Sequence, residues 1–148
     1  MLSLGLLVGI LALVLVTLVY QVSAVVLAGQ RERNQWLTFV EEDLGYSQCA
    51  ILDDSRRVIR IISLRCTKGT QRYVHVAEGG TLLGESDVSA FDFEATQRWV
   101  TAQYGALADT HISFHQGSTV LRITHASFEV LVDPITRQEL WKVDFNYE

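Results

Sequence analysis

The chain has 148 residues, a formal charge of −5 at pH 7, 49% apolar residues and two cysteines. That length suits a single domain on the usual ~100 to 200 residues per domain, and neither an internal repeat nor a low-complexity tract argues for another architecture. The net acidity hides an uneven distribution: eight Lys and Arg stand against six Asp and Glu between Gly29 and Arg72, but four against eleven from Tyr73 to Glu148.

Met1 to Gln30 contains no charged residue. A run of that length exceeds the ~20 apolar residues that cross a bilayer core, and as a helix it extends roughly 45 Å. It reads as a transmembrane helix over residues 1–28. A secretory signal peptide instead has a basic start, an apolar run of ~7 to 15 residues and a small-residue cleavage site. Ala24 and Ala28 mimic part of such a site, but the run is too long and no Lys or Arg precedes it, so a retained anchor is expected. Taken alone, Arg31 and Arg33 place the flanking segment, and with it the domain, in the cytoplasm.

The next stretch, "RNQWLTFVEEDLGYSQC", is helical in its spacing. Trp36, Val40 and Leu44 recur at i, i+4 and i+8 with Leu37 beside them, while Glu41, Glu42 and Asp43 take other faces. Residues 29–48 therefore read as an amphipathic continuation of the same helix, ending near Gly45 and the Ser47–Gln48 pair. Trp36, Leu37, Val40 and Leu44 are expected to tie that helix to a sheet.

Cys49 and Cys66 have neither metal nor redox spacing. Outside the membrane they can form a disulfide, and in the cytosol they are two free thiols. Between them and just beyond lies the sharpest basic excess, Arg56, Arg57, Arg60, Arg65, Lys68 and Arg72, opposed locally only by Asp54. Without interleaved aromatics these charges suit a solvated face or a surface for an acidic neighbour better than a nucleic-acid site.

From there the period changes to two. Arg57 to Leu64 and Gln71 to Val76 are rich in β-branched and aromatic residues and flank a turn at Thr67 to Thr70, which predicts a hairpin. Gly79 and Gly80 mark the next turn. His111, Ser113 and His115 alternate with Ile112 and Phe114; Val120 to Thr124, Phe128 to Val132 and Leu140 to Phe145 follow, separated by Gly117–Ser118 and Asp133–Pro134. Residues 49–148 thus form an antiparallel meander. Phe91 to Phe93 looks like strand, whereas Ala95, Trp99, Ala102 and Ala106 satisfy helical spacing, leaving Glu94 to Ala108 open between helix and strand.

Chemistry-bearing patterns are sparse. His111 and His115 have the i, i+4 spacing of a zinc pair on a helix, but on a strand ~13 Å separates them, too far for one metal. His75 and His125 stand apart, and all four read as structural polar-face residues. There is no G-x-S-x-G, H-E-x-x-H, C-x-x-C or Walker loop, and Gly79 to Gly84 lacks the Lys of a phosphate loop. Asp53–Asp54 and Asp92 with Glu94 are ordinary for an acidic soluble face. No catalytic site, cofactor or metal is expected, and the chain reads as non-enzymatic.

The plan of a long N-terminal helix, half membrane and half amphipathic, followed by antiparallel strands resembles type IV pilins and pseudopilins. More narrowly, Gln35-Trp36-Leu37-x-Phe39-Val40, then Glu41 to Leu44 and Ser47-Gln48, resembles the ComGF family, minor pilins of the competence machinery of Gram-positive bacteria. The likeness is clearest over residues 1 to 65. It implies an α+β, pilin-like fold with the helix packed on an antiparallel β-sheet, the domain outside the membrane, and display at the cell surface once assembled. Implied partners are other minor pilins, the major pilin, a polytopic platform protein and a prepilin peptidase; direct DNA contact is not expected. Gly5 and Gly9, a small-xxx-small pair, would then let helices approach closely in the membrane or the pilus core, although glycine is also simply frequent in membrane helices. Pilins begin with a basic leader and a Glu near the processed start, and "MLSLGLLVGILAL" looks like the portion that follows that Glu, so further residues are expected ahead of Met1. The competing reading is a single-pass accessory or sensor subunit of another envelope complex, for secretion or division.

Overall fold

A computed structural model describes residues 3–56 and 58–145. Helix α1 spans Leu4–Thr38 and buries none of its residues. From Leu4 to Leu27 every large apolar side chain is exposed, so the helix is apolar all round rather than amphipathic over this part. Such a surface is compatible with a helix that crosses a membrane. The Thr17 hydroxyl donates to Leu13 O at 2.9 Å, satisfying within the helix a polar group that hydrocarbon cannot.

A π-helical turn, Phe39–Asp43, follows directly. Its widened geometry shows in Leu44 N donating to Phe39 O, five residues back, at 3.3 Å. Gly45 at φ 76° then reverses the chain, a conformation that costs glycine little and other residues more. Helical structure therefore ends at Asp43, and a strand opens at Ser47, inside the 29–48 segment read as helix. By its contacts the chain divides after Thr38, so Trp36 and Leu37 belong to the helical unit while Val40 and Leu44 belong to the second.

The second unit holds two four-stranded antiparallel sheets, each in chain order. The first contains β1 (Ser47–Arg56), β2 (Arg60–Lys68), β3 (Thr70–Ala77) and β4 (Thr81–Asp87). The second contains β5 (Asp109–His115), β6 (Ser118–His125), β7 (Phe128–Val132) and β8 (Glu139–Asp144). The fold is α+β, but the single meander of the sequence reading is two sheets. A 3-10 turn at Val88–Ala90 and helix α2 (Phe93–Tyr104) separate β4 from β5. Within the ambiguous segment the helical spacing prevails as far as Tyr104. Asp92 caps α2 by accepting from Ala95 N at 3.1 Å, and Gly105 ends it at φ 97°. Phe91 to Phe93 is the approach to this cap rather than a strand.

Burial explains the arrangement. Val100 of α2 packs with Ile123, Val130 and Val132, edged by Trp99, Tyr104, Ala108 and Phe128. Tyr73 of the first sheet packs with Ile112 and Leu121 of the second, joined by Leu52, Val88, Phe91 and Phe93. On the opposite face of the first sheet Ile62, Leu64, Val74 and Val76 are buried, as are Val40 and Tyr46. The Phe39–Tyr46 segment crosses this face. At one end Lys68 Nζ donates to Leu44 O at 3.2 Å and lies 4.9 Å from the centre of the Tyr46 ring. At the other, a Cβ added to Gly80 would meet the Phe39 ring at 3.3 Å.

Candidate functional site

In α1, Gly5 and Gly9 are open positions, with nothing within 4 Å of an added Cβ. The helix containing them, extended by the π turn to Asp43, has a mean hydropathy of 2.6 over its most apolar window and is long and apolar enough to cross a membrane. Of the four residues expected to fasten helix to sheet, Val40 is fully buried. Leu44 is half-buried and offers its carbonyl to Lys68. Trp36 and Leu37 fall in the last turn of α1.

Cys49 on β1 and Cys66 on β2 are bonded, with Cα atoms 4.2 Å apart across the first strand pair. The ladder shifts register between Ser47 and Ala50, around Cys49, and Cys66 is buried.

The described basic residues spread over three strands, and Arg56, Arg60 and Arg72 are met by carboxylates. Arg60 donates to Asp54 through Nε at 3.0 Å and Nη2 at 2.8 Å, and Arg56 Nη2 lies 3.8 Å from the same carboxylate. The Arg60 hydrogen bonds hold Asp54 below the usual carboxylate range against the opposing effect of burial. Arg72 pairs with Glu85 at 3.0 Å and Asp87 at 3.2 Å. Arg65 bonds Gln71, and Lys68 serves Leu44 and Tyr46. Asp54 is therefore not the only opposing charge: strand pairing brings the acids of β4 to Arg72. Arg57 lies outside the described residues. What the sequence shows as a basic patch is, in large part, an internally paired surface.

The histidines divide by environment. His111 and His115 both lie on β5, where His111 faces Arg122 and His115 faces Ser118 across the ladder. Among the described residues no cluster of three or more His, Cys, Asp or Glu could hold a metal. His125 stacks on Phe128, centroids 4.8 Å apart, and its Nδ1 lies 2.9 Å from Ser127 Oγ. His75 departs from the expectation of a polar-face residue. It is fully buried, its Nδ1 2.8 Å from Ser63 Oγ and its Nε2 2.7 Å from Thr119 Oγ1. Thr119 Oγ1 is in turn 2.7 Å from Ser86 Oγ, and the Phe114 ring lies 5.0 Å from the imidazole. Burial lowers the His75 pKa from 6.5 to about 4, so the ring is neutral near pH 7, one nitrogen donating and the other accepting.

Asp53 likewise is not part of an acidic soluble face. It is 7% exposed and accepts from Arg122 Nε at 3.1 Å and from Arg122 Nη2, while Arg122 Nη1 donates to Glu129 at 3.4 Å. The triad joins β1 to β6 and β7. No local pattern marks it, because 69 residues separate Asp53 from Arg122.

Grooves open on this unit among the described residues. One, of about 750 Å³, lies between α2 and β5, lined by Glu94, Arg98, Thr101, Asp109 and His111 among others. Another, of about 270 Å³, has Phe91 and Phe114 as walls and the Ser86 and Thr119 hydroxyls beside them. Strands β1 and β4, which supply Asp53, Glu85 and Ser86, were missed in the sequence. Polar and acidic residues interrupt their apolar alternation.

No family model, curated protein or solved structure matches this chain.

Proposed function

We propose that this chain is a non-enzymatic minor pilin-like subunit of a competence type IV pilus, contributing to DNA uptake during transformation. The observation that carries the reading is α1 together with its π-helical extension: one uninterrupted helical segment, apolar all round from Leu4 to Leu27, leads into the folded unit with no separate linker. In such a subunit the helix first sits in the bilayer and then exchanges lipid for neighbouring helices, with Gly5 and Gly9 as points of close approach. The Trp36-centred stretch supplies the likeness to ComGF proteins. A disulfide between Cys49 and Cys66 favours the domain on the oxidising side of the membrane.

In this reading the strand-rich unit is a rigid interaction body. His75, Asp53 and Arg122 brace the two sheets instead of performing a reaction. The partners are other minor pilins, the major pilin, the platform protein and the prepilin peptidase.

The test is genetic and biochemical. Deleting the gene should abolish transformation in the native host, and the full chain should restore it and co-purify with the major pilin. A chain carrying Leu11→Arg and Val14→Arg should fail at both. Transformation at wild-type frequency in the deletion strain would overturn the reading and favour an accessory subunit of another envelope complex.

A further inference from the structure

One end of the first sheet gathers features that no internal contact explains. The tip of the β1–β2 hairpin carries Val58, 98% exposed, and Ile59, 53% exposed. Leu82, near the start of β4, is also exposed at this end of the sheet, across β3 from β2. Arg56, just before the tip, leaves 66% of its side chain in solvent. Arg60, just after it, is largely covered and clamped to Asp54, so the tip rests on a braced base.

This is also the end at which the chain enters the unit. Glu78 N donates to Arg60 O at 3.1 Å, which sets the β3–β4 turn beside the hairpin tip. Gly80 of that turn lies against Phe39, the first residue of the unit. The Phe39–Tyr46 segment then runs to the far end, where Leu44 meets Lys68. The residues that follow the apolar helix and the exposed tip thus share one edge of the sheet.

We infer that the Val58–Ile59 tip docks into the phospholipid headgroup layer of the bilayer that holds α1. Val58, Ile59 and Leu82 enter the boundary between headgroups and acyl chains, and the Arg56 guanidinium bonds lipid phosphate while its stem lies along the apolar surface. Glu78 and Asp54 lie at the same end; Asp54 is held by Arg60 and Arg56, and Glu78 is exposed and stays on the aqueous side. Phosphate is the ligand chemistry because arginine's fork matches its oxygens. The bilayer is the occupant because Phe39, the residue that follows α1 in the chain, lies at this end of the sheet. The docked state belongs to the unassembled subunit; it rests on the membrane reading of α1 and not on the pilus reading.

The experiment uses the full chain in nanodiscs of mixed phosphatidylcholine and phosphatidylglycerol. Single cysteines at Val58, Ile135 and Val14 carry an environment-sensitive NBD label, with Cys49 and Cys66 left bonded. The Val58→Cys label should emit to the blue and lose emission when lipids bear a doxyl quencher in the upper acyl chain. The Ile135→Cys label, at an exposed site in the loop after β7, should stay aqueous, and Val14→Cys should be quenched. Arg56→Gln, which removes the charge without setting a second carboxylate beside Asp54, should move the Val58 label toward water in a chain that still melts cooperatively. A Val58 label in water beside a quenched Val14 label would overturn this inference alone. An aqueous Val14 label would overturn the membrane reading itself. A blue-shifted Val58 label that lipid quenchers leave untouched would assign the tip to a second copy or another protein and overturn lipid docking.

Discussion

His75 Nε2 of the first sheet and Thr119 Oγ1 of the second lie 2.7 Å apart, with Ser63 on the ring's other nitrogen and Ser86 continuing the chain of hydroxyls. A buried polar contact of this kind specifies how two sheets meet, because each group that loses its partner bears the full penalty of desolvation. Apolar contacts such as Tyr73 with Ile112 and Leu121 supply adhesion; the hydrogen-bonded chain supplies register.

Burial of the same imidazole makes stability depend on acid. The folded His75 pKa is depressed from 6.5 to about 4, so the unfolded chain binds more protons between those values. Stability is fully present above pH ~6.5 and falls as pH drops toward 4, by about 3 kcal/mol at ~1.4 kcal/mol per unit. Denaturant unfolding at pH 7 and pH 4.5 measures this. His75→Leu should lower stability at pH 7 by ~1 to 3 kcal/mol, since Ser63 and Thr119 lose a partner, and should flatten the acid slope. A variant with the wild-type slope would assign the pH dependence to other groups.

Arg122 is the second point on which the sheets depend. Arg122→Ala leaves Asp53 buried without its countercharge and should destabilise by roughly 3 to 5 kcal/mol. The double change Asp53→Leu with Arg122→Leu should recover part of that loss, because an apolar pair has no charge to desolvate. Melting curves of wild type, Asp53→Leu, Arg122→Leu and the double variant form the cycle; strict additivity would show that Asp53 and Arg122 are not coupled.

Removing the disulfide should matter by a similar amount. Cys49→Ser with Cys66→Ser frees a loop of 17-residue separation and should lower stability by about 3 kcal/mol in the chain-entropy account. Reductant should lower the wild-type melting temperature and leave that of the double serine variant unchanged. Thiol labelling of intact cells before and after reduction reports the same bond in place.

The paired arginines lead to an expectation about DNA. With Arg60 held by Asp54 and Arg72 by Glu85 and Asp87, these two arginines are already neutralised and are poorly placed to displace counterions from a duplex. The detergent-solubilised chain should not shift duplex DNA at physiological salt. Micromolar binding whose salt slope fell by roughly 2 units in Arg56→Ser with Arg60→Ser, at ~0.9 per lost phosphate contact, would identify a DNA-binding surface instead.

The elements legible in the sequence are those whose partners are local. The uncharged run to Gln30 needs no neighbour to be read as helix, because in lipid each backbone group is satisfied within the segment. Strands β5 to β7 show in their apolar alternation and in turns such as Gly117–Ser118, and the hairpin of β2 and β3 in its β-branched runs. Positions were harder to read where polarity and burial disagreed. Asp53 and Asp54 are adjacent and chemically identical, yet one is buried against Arg122 and the other lies at the rim with Arg60. Strand alternation points them to opposite sides, and only the partner sheet tells which side is inside.

The sequence by itself thus determined the apolar helix, the α+β class, most strands of the second unit and the shortage of catalytic motifs, since each follows from composition and period along a few residues. Only the tertiary structure decided that the strands form two sheets, that α2 rather than a strand precedes β5, that His75 is buried and neutral, and that the basic cluster is largely paired. The reason is separation along the chain: His75 meets Thr119 across 44 residues and Asp53 meets Arg122 across 69. The burial and electrostatics of those groups are set by neighbours that no local window of sequence contains.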